Sequence, residues 1–485
     1  MSNRSSIFIC ILPLITVLVI IFSAYPGYLS FDSAFQFWQA RGNEYYDIAP
    51  PLFPWVWHFL LKFFPNTSGV ILLICILYGF GFAVLTATVT RKFGTIAAVL
   101  FAALAPLCPV LVLLLPHLWT DVLLGGFLLL AFACMRDAAF SAWRFISIIF
   151  LCICAASVRH NSLIALIPLI WFWTGLTFWT SLTFRTGAAS WLGSWLRKRP
   201  RLNRGILVLV LLLPLWLSGH VIRAVLVKER LDTWAVTFMF DLQAVSVRTG
   251  INRLPKNLTG AGMQVQELSE AFNLYSATKL FDSTRSGVAN PTVGPLAPEQ
   301  REALMNAWLG ILTEPAYWQH RLQLFRGLLG THRGLDLAGL SDSPQLFAYK
   351  DNPPMVFVNP AAHSVYRALL DRVRNTPLYS AGWHLIFAAA LIALRWRRSP
   401  TWLRDFYTAL YGSALFYTLP YFFIAPSAEL RYVLWSALAS WLCILLAVLD
   451  WIWPNPNRQK THQTAQSSPH PNTHRPDKTP QTAQV

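Results

Sequence analysis

Residues 68–92 read SGVILLICILYGFGFAVLTATVTRK. No charge appears until Arg91 and Lys92 close the run. An α-helix rises about 1.5 Å per residue, so such a run spans the roughly 30 Å hydrocarbon layer of a bilayer. Similar apolar runs recur on both sides of it. The sequence predicts ten membrane helices, at about 6–25, 68–90, 95–115, 119–135, 144–158, 162–180, 205–225, 381–395, 405–424 and 430–453. Composition agrees: of 485 residues 55% are hydrophobic and 13% charged, where a soluble chain carries about 25% charged residues. The predicted fold is an all-α polytopic membrane protein. Its first run is too long for a signal-peptide core and lacks a clean cleavage site after it, so it reads as a retained anchor. The fifth and eighth runs are short and need support from neighbours or a thin bilayer.

Charge predicts the orientation. With Arg4 in the cytoplasm and strict alternation, the cytoplasmic pieces hold 19 Lys and Arg against four acids, and the external pieces hold 20 against 18. Of the net charge of +17, 15 units therefore fall inside, most densely at Arg197–Arg204. That bias is the positive-inside rule. It assigns the basic excess to orientation and contact with anionic lipid, and it excludes nucleic acid as the partner. Both termini are expected in the cytoplasm.

Four regions follow. Residues 1–225 form an N-terminal transmembrane module of about seven helices, with a first external loop at 26–67. Residues 226–380 form an external, mostly helical segment. Within it Leu304, Trp308, Ile311 and Leu312 keep a helical stripe, and Pro315 opens a further helix at its first turn, where proline is tolerated. Residues 381–453 hold the last three helices. The Pro-, Gln- and Thr-rich tail, 454–485, cannot bury a core and is expected to be disordered. The seven cysteines all lie in apolar runs, so no disulfide or Cys/His zinc spacing is expected.

Polar residues gather at four places, all on the predicted external side. Asp32, Glu44, Asp47 and His58 follow the first helix. Asp121 opens the fourth, Arg159-His160-Asn161 separates the fifth from the sixth, and Glu429, Arg431 and Tyr432 open the last. In the first loop Phe31, Phe35 and Trp38 share one side of a 3.6-residue period, and Asp32, Gln36 and Gln39 share another. That pattern predicts an amphipathic surface helix with its aromatic side in lipid. Arginines converging there suit a phosphate or diphosphate. A carboxylate suits a general base or a metal ligand. Plainer readings stand beside these: an interfacial aromatic belt, a structural Asp121–Arg159 pair, a local Glu429–Arg431 pair and structural histidines. No Walker loop, GxSxG elbow or HExxH segment occurs.

The first-loop Ser30-Phe31-Asp32-Ser33, Pro50-Pro51-Leu52, Trp119-Thr120-Asp121, Arg159-His160-Asn161 and Leu430-Arg431-Tyr432 together resemble the GT-C superfamily of membrane glycosyltransferases. That group includes protein O-mannosyltransferases, aminoarabinose transferases and lipopolysaccharide sugar transferases. The resemblance implies a multi-pass enzyme of a bacterial inner membrane. Its donor would be a polyprenyl-phosphate sugar and its acceptor a glycan, lipid or protein. It implies Asp32 as the residue that activates the acceptor or binds a metal, a divalent cation being the one cofactor it allows. It implies Arg159 and Arg431 on phosphate, with Asp47, Asp121, His160, Asn161 and Tyr432 completing the substrate site. Two positions depart from the family pattern. Ser33 replaces a second first-loop acid, and Thr120 replaces a lysine before Asp121. Two rivals make different predictions: a transporter needs polar groups through the membrane depth, and a scaffold leaves the four loops scattered.

Overall fold

The structure is a computed structural model that describes residues 3–136, 141–159, 161–175, 200–259, 263–281, 287–330, 349–373 and 376–453. His160 and the tail 454–485 lie outside the described residues. The chain is predominantly helical. In order it forms α1 (Asn3–Phe22), α2 (Phe31–Gly42), β1 (Tyr45–Tyr46), α3 (Leu52–Leu61), α4 (Ser68–Phe93), α5 (Thr95–Leu104), α6 (Pro109–Leu114), α7 (Thr120–Met135), α8 (Ala142–Val158) and α9 (Ser162–Gly175). There follow α10 (Pro200–Leu226), β2 (Val227–Glu229), α11 (Trp234–Thr249), α12 (Val265–Ala271), α13 (Pro298–Ile311), α14 (Pro315–Leu328) and α15 (Pro360–Val373). The chain closes with α16 (Ala381–Arg395), α17 (Thr401–Thr418), α18 (Tyr421–Ile424) and α19 (Leu434–Ile452).

Helices stand at each predicted span, but not as ten full-length crossings. Among the described residues three helices are long and apolar enough to cross a membrane: Ser68–Phe93, Arg201–Leu226 and Leu430–Ile452. The other apolar helices have 10–17 residues. The predicted 95–115 span is broken into α5, a 3-10 turn at Ala105–Leu107 and α6. Pro109 drives Cys108 out of the helical region, to φ −50° and ψ 118°.

One hydrophobic core joins the N-terminal helices to the last three. α4 packs on α1 and α7, α9 on α17, and α19 on α16, α17 and α7. Glycine lets α4 and α7 approach closely. A Cβ on Gly81 would stand 2.8 Å from Leu129, and one on Gly126 would stand 2.9 Å from Leu77. Small residues at such a seam let helix backbones pack without a hydrophobic driving force between them. The 226–380 segment has its own small core around Met239, Leu242, Leu304, Ile311 and Tyr317. The predicted stripe is there: Leu304 and Ile311 are buried, and Trp308 stacks on Phe238 at 4.0 Å. α14 opens at Pro315 as expected.

α2 exists, but its sides are not placed as its periodicity predicts. Gln36 and Gln39 are buried, and Gln39 Oε1 accepts the Tyr46 N–H at 2.8 Å. Phe31, Phe35 and Trp38 meet Tyr349 edge-on at 5.4, 5.6 and 6.2 Å. Periodicity reports which residues share a side, not what covers it, and here the cover comes from a distant part of the chain. The one sheet among the described residues is also unforeseen. β1 and β2 pair in parallel, Tyr45 with Val227 and Tyr46 with Glu229, tying the first loop to the end of α10.

Candidate functional site

The four polar groups meet. Asp32 sits in the first turn of α2, whose start is closed locally: Ser33 Oγ accepts the Ser30 N–H at 2.8 Å. Ser33 is fully buried, so it does not supply the missing second acid. Ser30 Oγ accepts the Trp119 indole N–H at 2.7 Å, which locks the start of α2 to the start of α7. The Asp32 carboxylate lies 2.5 Å from Arg431 Nη1 and is 46% exposed. Arg431 Nε lies 2.5 Å from Glu429 Oε2, so one guanidinium stands between two carboxylates.

Deeper in, Asp121 is 1% exposed and pairs with Arg159 at 2.9 Å. Its Oδ1 has no hydrogen-bond partner among the described residues. Arg159 donates to the Tyr421 hydroxyl at 3.0 Å, and Asn161 Nδ2 donates to the same oxygen at 2.5 Å. The Tyr432 ring lies 4.9 Å from the Arg159 guanidinium and 5.2 Å from that of Arg431. A ring quadrupole attracts cations over its face, so this tyrosine lets two like charges share a small volume. Tyr432 also stacks on Tyr421 at 5.5 Å.

These side chains wall a cleft of about 620 Å³. Asp32, Gln36, Arg159, Asn161 and Arg431 are its polar lining, and Ile48, Pro50, Ile164, Trp234 and Ile424 its apolar lining. Two arginines and three carboxylates meet here. Each guanidinium has five N–H donors, so its ion pair leaves further donors for a ligand.

Asp47 does not belong to this site. Its buried carboxylate pairs with Arg223 of α10. Glu44 pairs with Lys228 of β2 at 2.9 Å, and that ammonium holds the Glu44 carboxyl below its ordinary pKa. Both acids fasten the first loop to α10 and β2 beside the β1–β2 pairing. His58 gives its Nδ1 proton to the Ala40 carbonyl at 2.7 Å and does not line the cleft. Tyr421, Trp234 and Gln36 also line the cleft without a sequence signal that marks them as site residues, and Glu429 reaches Arg431 beside it. Tyr417 and Tyr421 fall one helical turn apart at the outer end of a predicted span, where an interfacial belt gives the same signal.

The 226–380 segment braces the site from behind. Buried Arg321 pairs with buried Asp241 and donates to the Ala425 carbonyl at 2.8 Å. The Ala428 N–H donates to the Leu274 carbonyl at 2.9 Å. Trp318 stacks on Phe422 at 6.3 Å. Residues 422–428, which lead into Glu429 and Arg431, are thus held by α14 and its neighbours. On the other flank His117 lies between Tyr28 and Trp119, with ring centroids 4.7 and 4.3 Å away. Burial pushes its pKa down to about 3, so this imidazole is neutral.

Among the described residues no group of three or more His, Cys, Asp or Glu could hold a metal ion. Asp32 and Glu429 already face a shared cation, the Arg431 guanidinium. No family model matches the chain, and neither do the curated proteins or solved structures compared with it.

Proposed function

We propose that the chain is a membrane glycosyltransferase of GT-C type that moves a sugar from a polyprenyl-phosphate donor to a glycan, lipid or protein acceptor. The observation that carries this reading is the cleft: Asp32, Arg159, Asn161 and Arg431, from three separate stretches of chain, line one open volume together with apolar residues. An amphiphile with a phosphate head and a lipid tail combines the same two characters. Convergence also speaks against a scaffold, which expects the loops scattered. In this reading the chain crosses a bacterial inner membrane about ten times, its shorter helices supported by their neighbours, and the cleft opens at the outer face.

Asp32 removes the proton from the acceptor hydroxyl as that oxygen bonds to the anomeric carbon. The bond from that carbon to the phosphate oxygen breaks, and polyprenyl phosphate leaves with the electron pair. Arg431, Arg159 and Asn161 donate to the phosphate as its charge grows. The apolar residues hold the first isoprene units.

The test is incubation of the purified chain with a panel of polyprenyl-phosphate sugars, reading donor consumption and release of polyprenyl phosphate. Consumption of one donor that Asp32→Asn abolishes supports the assignment. Movement of intact donor across a vesicle membrane without cleavage would favour transport instead.

A further inference from the structure

α3 divides its residues sharply. Leu52, Phe53 and Trp57 are buried, Trp57 stacking on Phe37 at 4.9 Å and on Phe53 at 5.3 Å. Trp55, Phe59 and Phe63 follow one another at four-residue spacing through α3 and the turn after it, and are 43%, 51% and 66% exposed. Lys62 is exposed next to this stripe and has no ion pair among the described residues. In water an exposed row of three large aromatics is unfavourable. At a bilayer interface the rings enter the acyl boundary while a lysine reaches up to the headgroups.

Beside the stripe, α3 and the end of α2 enclose a second hollow, of about 410 Å³. Its charged lining is Arg41, Lys62, Glu44 and Asp351, with His58 and Trp38. Arg41 is held by Asp351, through its carbonyl at 2.7 Å and its carboxylate at 3.4 Å, and Glu44 by Lys228 at 2.9 Å; each carboxylate keeps further lone pairs for a headgroup ammonium. His58 spends its Nδ1 proton on Ala40, which leaves Nε2 as an acceptor in the neutral ring. A purely anionic headgroup would meet Glu44 and Asp351 here, and a purely cationic one would meet Arg41 and Lys62. A headgroup carrying both signs can satisfy both pairs.

We infer that this hollow binds the headgroup of a zwitterionic aminophospholipid. Its phosphate meets Lys62 and Arg41, its primary ammonium meets Glu44 and Asp351, and its acyl chains run along Trp55, Phe59 and Phe63. The lipid is separate from the sugar donor. It touches the last turn of α2, about 14 Å by helical rise from Asp32 in the first turn, so its seat bears on the helix that presents the carboxylate. The inference rests on the membrane placement proposed above and not on glycosyl transfer.

The purified full chain in detergent is titrated with dihexanoyl phosphatidylethanolamine, phosphatidylglycerol and phosphatidylcholine, with chain-free glycerophosphoethanolamine as a fourth arm, and binding is read by native mass spectrometry. Phosphatidylethanolamine is expected to bind about tenfold more tightly than the other two lipids, the worth of one good charged contact. Lys62→Glu should weaken it by about the same factor, and Glu44→Gln should remove its advantage over phosphatidylcholine. Trp55→Ala with Phe59→Ala should weaken all three lipids together. Equal binding of the three lipids, or an unchanged affinity in Lys62→Glu, overturns the site. Glycerophosphoethanolamine binding as tightly as the lipid overturns the lipid as occupant. A wild-type chain that consumes no sugar donor leaves these binding results standing, so the two readings fail separately.

Discussion

Replacing Asp32 with asparagine separates chemistry from folding. Asparagine keeps the size of the side chain and an oxygen for Arg431 to bond, but it cannot take a proton. The structural loss is small because the carboxylate is 46% exposed. An exposed ion pair is worth about 0–1 kcal/mol, and the favourable placement of an acid in the first turn of a helix about 0.3–1 kcal/mol. Asp32→Asn should therefore cost at most about 2 kcal/mol of stability. The functional loss is larger. General-base assistance contributes about 10²–10⁴-fold, or roughly 3–5 kcal/mol at 1.36 kcal/mol per decade. The assay is donor consumption under saturating donor, alongside thermal unfolding in the same detergent. Expected is a fall in kcat of at least a hundredfold with the unfolding transition nearly unmoved. A variant that keeps a third or more of the wild-type rate refutes Asp32 as the base. Loss of activity together with loss of the folded state would instead make Asp32 structural.

Asp47→Asn should do the reverse: transfer persists, while the chain loses about 1–3 kcal/mol of stability because the charged Arg223 is left without its counter-ion, measurable by thermal unfolding. Arg431→Met should raise the KM for donor and lower kcat together, since it removes a phosphate donor and leaves Asp32 and Glu429 facing each other; an unchanged KM would contradict its role. Arg321→Met should loosen residues 422–431, seen as faster amide hydrogen exchange there, and reduce activity although Arg321 does not line the cleft; unchanged exchange in that stretch would remove the brace. His117 is buried neutral with its pKa pushed down to about 3, so the unfolded chain binds a proton there first as pH falls. Its contribution to stability is complete above about pH 6.5 and is lost at about 1.4 kcal/mol per unit as pH drops from there toward 3. His117→Phe should flatten that part of the stability profile, and a profile identical to wild type would refute the assignment.

What could be read from the chain alone was set by short-range chemistry. Apolar runs place the helices, because membrane-length hydrophobicity is a local property. Counting charges groups Asp32, Asp121, Arg159 and Arg431, and the two expected pairs, Asp121–Arg159 and Glu429–Arg431, do form. The failures all depend on distant partners. Asp47 and Glu44 are in the same loop as Asp32 and of the same chemical class. Only Arg223 and Lys228, well over a hundred residues further on, divert them from the cleft. Gln36 and Gln39 have the polarity of a solvated face, yet the fold buries them. The 95–115 run has enough apolar length to span, but Pro109 interrupts the helix that would use it. Tyr421 looks like a belt aromatic until Arg159 and Asn161 are placed against it.

The short pairing of Tyr45–Tyr46 with Val227–Glu229 acts as a gauge. Parallel strands keep a spacing of about 4.8 Å whatever side chains they carry, so the gap between the first loop and the end of α10 is dictated by peptide geometry. Substitutions at Tyr45, Tyr46 or Val227–Glu229 leave that gap unchanged. A change of that gap requires an insertion or deletion in the connections around β1 or β2. An altered seating of the first loop against α10 should therefore begin with the length of those connections.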